Sequence, residues 1–380
     1  MSAAEWRNAM NAGAGRLAMG KLLPQKQGQT TFSDPADRIG GKRGLSLFLH
    51  IGLRHVVVLA FLLAFPVYAT PFLTFQIGAQ SLALGLVALS LTFLAGYGGM
   101  VSLAQMTVAG IAGYSVAIFG AAGSSDAAIS LGWPWWLAVA VAVVIATLCA
   151  AFIGWLSVRT EGIYTIMITL AVGVAFYYLC LQNYSVFNGF QGFQRVQAPT
   201  VLGINWREPL PFYYLALFWS LAGYFFIKYL LRAPFGIALQ GIRDNPRRMN
   251  ALGFHVTAHR IAAYAVAGVL AAIGGVLLVW YNGLITPNSA GTSWLINILI
   301  IAVLGGMRHP IGPFIGAVVF VLLQTFAIDL IDRERFNLVI GTVFLAIVLF
   351  SPDGLLGLWA ALKSRFASGS KFPTPRGGSK

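Results

Sequence analysis

Charged side chains are scarce in this sequence of 380 residues. They make up 9% of the chain, against about 25% in an ordinary soluble domain, and hydrophobic residues make up 58%. The two cysteines, Cys149 and Cys180, lie within apolar runs, where we interpret them as small hydrophobic residues and not as a disulfide or a metal site. Too few polar side chains exist to cover a water-soluble globule of this size, so the composition excludes a typical soluble enzyme and predicts a polytopic membrane protein.

Sequence patterns for catalysis and for ATP hydrolysis are also missing. None of the seven lysines stands in the GxxxxGK[ST] pattern, whose backbone amides hold phosphate groups, and no GxSxG or HExxH string occurs. No acidic residue lies securely inside an apolar run, although ion-coupled carriers usually need one there. The sequence therefore predicts a transport protein with no catalytic residue, no metal site and no cofactor of its own. Any energy from ATP would come from another subunit.

Ten apolar stretches of about 20 residues, the length that crosses a bilayer as helix, follow one another along the chain. The third is rich in small and hydroxyl residues and the eighth is short, so either could be a re-entrant or broken helix. The sequence thus predicts an all-α, polytopic integral membrane bundle of about ten spans, with a range of eight to ten. The stretches lie near residues 55–75, 77–95, 101–120, 134–157, 163–183, 211–231, 261–283, 293–307, 311–331 and 336–351.

The placement of basic residues predicts the orientation of these spans. With a cytoplasmic N-terminus, 21 of the 25 Lys and Arg residues fall on the cytoplasmic side, as the positive-inside rule requires, and an even number of spans makes both termini cytoplasmic. The net charge of +14 is then explained by topology, and we expect contact with membrane lipid and no binding of nucleic acid. We divide the chain into a basic cytoplasmic extension (1–54), a transmembrane domain (55–358) and a basic cytoplasmic tail (359–380).

Uncharged polar residues inside the spans are candidates for lining the path of a polar solute, because they avoid the cost of a buried charge. Hydrogen bonding between helices explains any one of them about as well, so both interpretations stay open. The candidates are Ser102, Gln105, Thr107, Thr165, Thr169, Asn282 and Asn297.

Glycine-rich strings predict close contacts between helices, because glycine lacks the side chain that would hold two backbones apart. The two strings cover residues 96–113 and 305–316, and the second contains a GxxxG spacing at its end. The packing candidates are Gly96, Gly98, Gly99, Gly110, Gly113, Gly305, Gly306, Gly312 and Gly316.

The longest internal cytoplasmic connection, residues 232–260, carries the signals of a short capped helix. Asn245 is a typical N-cap residue, Pro246 suits the first helical position, and Gly253 is placed as a left-handed terminator. One to two turns fit between them, with Arg247 facing water or a partner. A short helix that projects from a membrane bundle suits docking into a groove of a soluble protein, although an amphipathic interfacial loop fits these local features equally well.

Four blocks of the sequence resemble the membrane permeases of ATP-driven branched-chain amino acid importers, and most closely the M-type permease, whose relatives include importers of urea and short-chain amides. The resemblance covers about residues 96–358 and implies that the cytoplasmic loop is a coupling segment seated against an ATPase. The blocks are LAGYGGMVSLAQMTVAGIAGYSVAI, EGIYTIMITLA, ALQGIRDNPRRMNALGFHV, and VLGGMRHPIGPFIGAVV followed by LFSPDGLLGL. The implied coupling residues are Gly241, Arg243, Asp244, Asn245, Pro246, Ala251 and Gly253, with Arg247 as a further basic residue on the same surface.

The resemblance implies a permease subunit of an importer for branched-chain or other small amino acids in the bacterial inner membrane. Its implied partners are a second homologous permease, two ATPase subunits that hold ATP and Mg, and an extracytoplasmic solute-binding protein. The family often reads SLGHAAFFGIGAY where this chain reads SLAQMTVAGIAGY, so the solute preference could differ. The alternatives are an importer for urea or short-chain amides, an ion-coupled secondary carrier and a passive channel for a neutral solute.

Overall fold

The apolar runs form helices in the computed structural model, which describes residues 53–120, 130–160, 162–201 and 203–330, together with 341–342, 344–345, 349 and 354–357. By internal contacts the chain divides into residues 1–58, of which only the start of the first helix is described, and residues 59–380. The principal helices are α1 (Leu53–Tyr68), α2 (Leu73–Tyr97), α3 (Gln105–Phe119), α4 (Trp135–Ser157), α5 (Ile163–Gln182), α6 (Pro209–Arg232), α7 (Pro234–Asp244), α8 (Pro246–Ala251), α9 (Val256–Asn282), α10 (Thr292–Gly305) and α11 (Gly312–Leu330).

Five of the described helices, α2, α4, α5, α6 and α9, are long and apolar enough to cross a membrane. At the places of the third and eighth predicted spans, α3 has 15 residues and α10 has 14. Their axial rise of about 21–22 Å is less than the roughly 30 Å of a bilayer core. The tenth predicted span falls largely outside the described residues. The chain is therefore a helical membrane protein, while the count of ten spans and the cytoplasmic termini stay predictions.

The boundary between the first two predicted spans was wrong by several residues. We expected a span that ends near residue 75, whereas α1 ends at Tyr68 and α2 begins at Leu73. Pro71 explains the break, because proline disfavours the helical conformation of the residue before it, which is Thr70.

Helix α2 lies at the centre of the bundle, with 94% of its apolar window buried. It packs against α6, α9, α10 and α11, so it is covered on all sides. Its middle, Gln80–Thr92, is uncharged and mostly aliphatic or small, which permits burial all round. Small residues bring the neighbours close: an added Cβ on Gly85 would lie 2.6 Å from Phe314, and one on Gly274 of α9 would lie 2.6 Å from Val87.

Helices α4 and α5 are far less buried, with 33% and 22% of their apolar windows covered. Their exposed side chains include Leu148, Phe152 and Met167, which are 65%, 61% and 59% exposed. Such apolar faces would be unfavourable in water and suit contact with lipid tails or with another membrane subunit.

The segment between α5 and α6 is irregular and carries short strands. Strand β1 (Phe193–Gln194) pairs antiparallel with β4 (Leu284–Ile285), which follows α9, and β2 (Thr200–Val201) pairs with β3 (Ile204–Asn205). The pairing of β1 with β4 ties this connection to the end of α9. These two-residue strands add to the predicted helical bundle without changing its class.

Candidate functional site

Residues 232–260 contain two helices, α7 and α8, where the sequence predicted one. Helix α7 starts at Pro234 and turns its apolar residues Ala238, Leu239 and Ile242 inward, while Ile237 is 62% exposed. This spacing of three and four residues gives an amphipathic helix that lies against the bundle. We name α7 and α8 together the docking pair.

The predicted short helix is present as α8, and both of its ends are capped. The Asn245 side-chain oxygen accepts a hydrogen bond of 2.9 Å from the backbone N–H of Arg248. At the other end, Gly253 adopts a φ of +90°, and the N–H of Phe254 donates to the carbonyl oxygen of Met249 at 3.1 Å. This is the Schellman arrangement, which satisfies the last carbonyls of a helix. Six residues are thereby held rigid as a short projection.

The surface of the docking pair combines apolar and basic side chains. In the turn that ends α8, which we include in the docking pair, Leu252 is 67% exposed and Phe254 is 38% exposed; Arg247 is exposed on α8 itself. Met249 instead packs against Gly241 of α7, where an added Cβ would lie 2.9 Å from its sulfur. Exposed apolar residues beside a charge are typical of a surface that binds another protein.

Arg243, at the end of α7, points away from this surface and contacts the end of α2. Its Nη1 donates to the carbonyl oxygen of Gly96 at 2.6 Å, and its Nε donates to Oδ1 of Asp244 at 3.0 Å. Gly98 and Gly99 form the turn that follows α2, and Gly99 has a φ of +68°. The predicted coupling residues are therefore close together in the structure, but they face two different ways.

Four of the predicted packing glycines, Gly305, Gly306, Gly312 and Gly316, meet where α10 turns into α11. An added Cβ on Gly305 would overlap the carbonyl oxygen of Gly312, and one on Gly316 would overlap the carbonyl oxygen of Ile301. Gly306, in the turn itself, has a φ of +99°. The two helices thus touch backbone to backbone.

The glycines of the first string contact several different neighbours. A Cβ on Gly96 would overlap the carbonyl oxygen of Met307, and one on Gly110 would lie 2.9 Å from the Cβ of Ala290. Gly113 faces the side chain of Val279 in α9. These contacts bring α2, α3, α9 and the α10–α11 turn close to one another.

Four of the seven polar candidates lie along the seam between α3 and α5. The Thr169 hydroxyl oxygen accepts a hydrogen bond of 3.1 Å from the backbone N–H of Leu103, next to Ser102. Thr107 faces Gly173 of α5, where an added Cβ would lie 2.9 Å from its oxygen. The fourth, Thr165, is one helical turn before Thr169. We name Ser102, Thr107, Thr165 and Thr169 the hydroxyl seam.

The other three polar candidates lie elsewhere. Gln105 turns towards α2, where its oxygen accepts a hydrogen bond of 3.0 Å from Ser90. Asn282, at the end of α9, donates to the carbonyl oxygen of Leu278, and Asn297 is half-buried in α10. These three side chains do not continue the hydroxyl seam.

A buried polar cluster beside the hydroxyl seam was missed by sequence reasoning. The Tyr264 hydroxyl lies next to the hydroxyls of Ser102 and Ser157, and Arg260 stands one turn earlier on α9. Within the described part of the chain these three hydroxyls make no hydrogen bond of good geometry except the weak interactions of Tyr264 with Ser102 and Ser157, and the Arg260 Nε has no partner. The spacing of Arg260 and Tyr264, which places both on one face of α9, was the available sequence signal.

A cavity of about 200 Å³ opens beside this cluster. It separates the start of α8 from the turn between α4 and α5. Its lining residues are Gly99, Met100, Val101, Thr160, Gly162, Thr165, Pro246 and Arg260. Among the described residues, no group of three or more His, Cys, Asp or Glu side chains could hold a metal ion.

The apolar helices, the short capped helix α8 and the hydroxyl seam define a multi-pass membrane transport subunit. This chain belongs to the family of permease components of branched-chain amino acid transport systems, whose model matches residues 73–348. The resemblance found in the sequence is thereby confirmed, and the chain is a permease and not a catalytic enzyme. No solved structure matches it significantly.

The chain is similar to several permease proteins. LivM of the high-affinity branched-chain amino acid transport system of Salmonella typhimurium is 24% identical over 301 residues, which cover 72% of this chain and 67% of the relative. The probable branched-chain amino acid transport permease LivM of Methanocaldococcus jannaschii is 24% identical over 239 residues, which cover 57% of this chain and 67% of the relative. The autoinducer 2 import permease LsrC of Escherichia coli O157:H7 is 27% identical over 194 residues, which cover 48% of this chain and 52% of the relative.

Proposed function

We propose that this chain is the permease subunit of an ATP-driven importer for branched-chain or other small amino acids in the bacterial inner membrane. It forms half of a heterodimeric pathway with a second homologous permease. Two separate ATPase subunits hold ATP and Mg, and an extracytoplasmic binding protein delivers the solute. The family membership and the names of the LivM relatives support this proposal.

The observation that carries the proposal is the construction of α8. A six-residue helix is too short to be stable alone, yet here both ends are capped and Met249 anchors it to α7. The result is a stiff projection that presents Leu252 and Phe254 to its surroundings. A rigid surface with the exposed apolar residues Leu252 and Phe254 and basic residues beside them suits binding in a groove of an ATPase subunit.

The docking pair is placed in the chain between α6 and α9, which are both long enough to cross the membrane. Closure of the ATPase pair on ATP would move the docked α8, and with it the helices on either side. The path would then open alternately to each face of the membrane.

The hydroxyl seam is our candidate for part of the solute path. Ser102 and Thr107 are fully buried. The Thr107 hydroxyl has no hydrogen-bond partner among the described residues and the Ser102 hydroxyl has only the nearby Tyr264 hydroxyl, which is costly in a dry interior. Water or a polar solute that enters between α3 and α5 would satisfy them. The same hydroxyls could serve helix association instead, so solute selectivity must be measured on variants of this seam.

The proposal is tested by changing Leu252 to Asp in cells that hold the complete transport system. A charge at this apolar surface should lower both the co-purification of the ATPase and the uptake of solute. Leu284→Asp is the matched control, because Leu284 is also exposed but lies in β4, at the other end of α9. Normal binding and uptake in Leu252→Asp would make the docking role wrong. Uptake that survives vanadate would instead favour a secondary carrier or a passive channel.

A further inference from the structure

The guanidinium of Arg243 joins the docking pair to the buried helix α2. Nη1 donates to the Gly96 carbonyl oxygen at 2.6 Å, and Nη2 contacts Oδ1 of Asp244 at 2.9 Å. Because Asp244 holds the guanidinium from its other edge, the orientation towards Gly96 is fixed. The Arg243 side chain is still 40% exposed, so water reaches part of it.

The carbonyl of Gly96 is available for this bond because α2 ends there. The last carbonyls of a helix have no partner within the helix, and they carry the negative end of the helix dipole. Helix α2 closes in a π-helical turn, Phe93–Tyr97, and the chain leaves the axis at Gly98. A positive side chain that donates to Gly96 therefore caps α2 with favourable charge as well as a hydrogen bond.

Gly99 fits the stem of the same side chain. An added Cβ on Gly99 would lie 2.6 Å from Cγ of Arg243, and the backbone of Gly99 has a φ of +68°. Both facts favour glycine at this position. Arg243 thus contacts the end of α2 twice, through its charged group and through its methylene groups.

The docking pair is loosely packed at Pro246 and tightly packed at Arg243, which makes the contact of Arg243 with α2 important for transmitting movement. On the side of Pro246, the 200 Å³ cavity lies between α8 and the turn that holds Thr160 and Gly162, so a small movement of α8 would be absorbed there. On the side of Arg243 the contact is tight, and α2 touches most of the bundle. A displacement of the docking pair therefore reaches the end of α2 through Arg243.

We propose that Arg243 is a positioning residue that transmits movement of the docking pair to α2, and that its side chain serves the membrane domain and does not bind the ATPase. This inference rests on the proposed function, since it needs an ATPase that moves α8. It differs from the role that the family resemblance implies for Arg243, which is contact with the ATPase itself.

The test compares Arg243→Met with Arg247→Met in the assembled transporter. Methionine keeps the apolar stem and removes the charge and the donors. Arg243→Met should retain ATPase co-purification and ATP hydrolysis, while solute taken up per ATP hydrolysed falls about tenfold, as expected for loss of a charged hydrogen bond. Arg243→Lys should recover part of this ratio. Arg247→Met should do the opposite: weaker co-purification, with an unchanged ratio in the complex that remains.

Each contrary result has a distinct meaning. Loss of ATPase binding in Arg243→Met would make Arg243 a docking residue and overturn the inference, while the proposed function would stand. An unchanged uptake ratio would overturn it as well. A wild-type permease that binds no ATPase would overturn the proposed function itself. If Arg243→Met does not accumulate, Gly99→Ala disturbs the same contact from the side of α2, and the same two measurements decide.

Discussion

The contact between α10 and α11 allows a prediction with a worked magnitude. An added methyl group on Gly316 would lie 2.8 Å from the nitrogen and 3.1 Å from the Cα of Gly305, and would overlap the carbonyl oxygen of Ile301. Carbon atoms pack best at about 3.5–4.0 Å, so Gly316→Ala must push the helices apart by roughly 0.5–1 Å. Overpacking of this kind costs about 1–3 kcal/mol.

A matched control separates this packing cost from helix propensity. Gly341 is also helical, but an added Cβ there meets no atom of the described residues within 4 Å. Both Gly→Ala changes gain about 0.5–1 kcal/mol from the lower entropy of alanine in the unfolded chain, so their difference isolates the contact. Thermal unfolding of the purified complex in detergent, followed by tryptophan fluorescence, should show a lower melting temperature for Gly316→Ala. Equal melting of the two variants, or a higher melting temperature for Gly316→Ala, would refute the backbone contact.

Three further predictions concern topology, the α8 terminator and the hydroxyl seam. Reporter fusions at the C-terminus and after Gln191 should give opposite signals, and equal signals would contradict the ten-span topology. Gly253→Val should cost about 1–2 kcal/mol at a φ of +90° and weaken ATPase co-purification, whereas Gly253→Asn, which tolerates this conformation better, should bind more normally. Thr169→Val removes the acceptor of the Leu103 N–H and should destabilise the protein by about 1–3 kcal/mol, while Thr169→Ser should not; similar melting of the two would count against that bond.

The short helix α8 could be predicted because its signals are local. Asn245 and Gly253 act through hydrogen bonds and dihedral angles within a few residues of the chain. Helix α7 also starts with proline and has an amphipathic spacing, but no side chain caps its start and Gly236 and Gly241 lower its helix propensity, so its local signals are weaker than those of α8.

The membrane class and the family could also be predicted, since composition and four sequence blocks carry them. The inward direction of Arg243 could not, because its partner Gly96 lies 147 residues away in the chain. The same holds for the cluster around Tyr264, which joins residues of α4, α9 and the α2–α3 connection. Contacts between residues so far apart in the chain depend on how the helices assemble. A single amino-acid sequence contains no direct record of them.

The last turn of α2 is held from two directions, which links the docking pair to a second part of the bundle. Arg243 contacts Gly96 from one side, and the carbonyl oxygen of Met307 closes on Gly96 from the other. One residue later, the Tyr97 hydroxyl donates to the carbonyl oxygen of Arg308 at 2.8 Å. Residues 307 and 308 belong to the turn between α10 and α11. The backbones of these two helices touch, so we expect the helices to move together. A shift of the docking pair would thus reach the end of α2 through Arg243, and this hairpin through Gly96 and Tyr97.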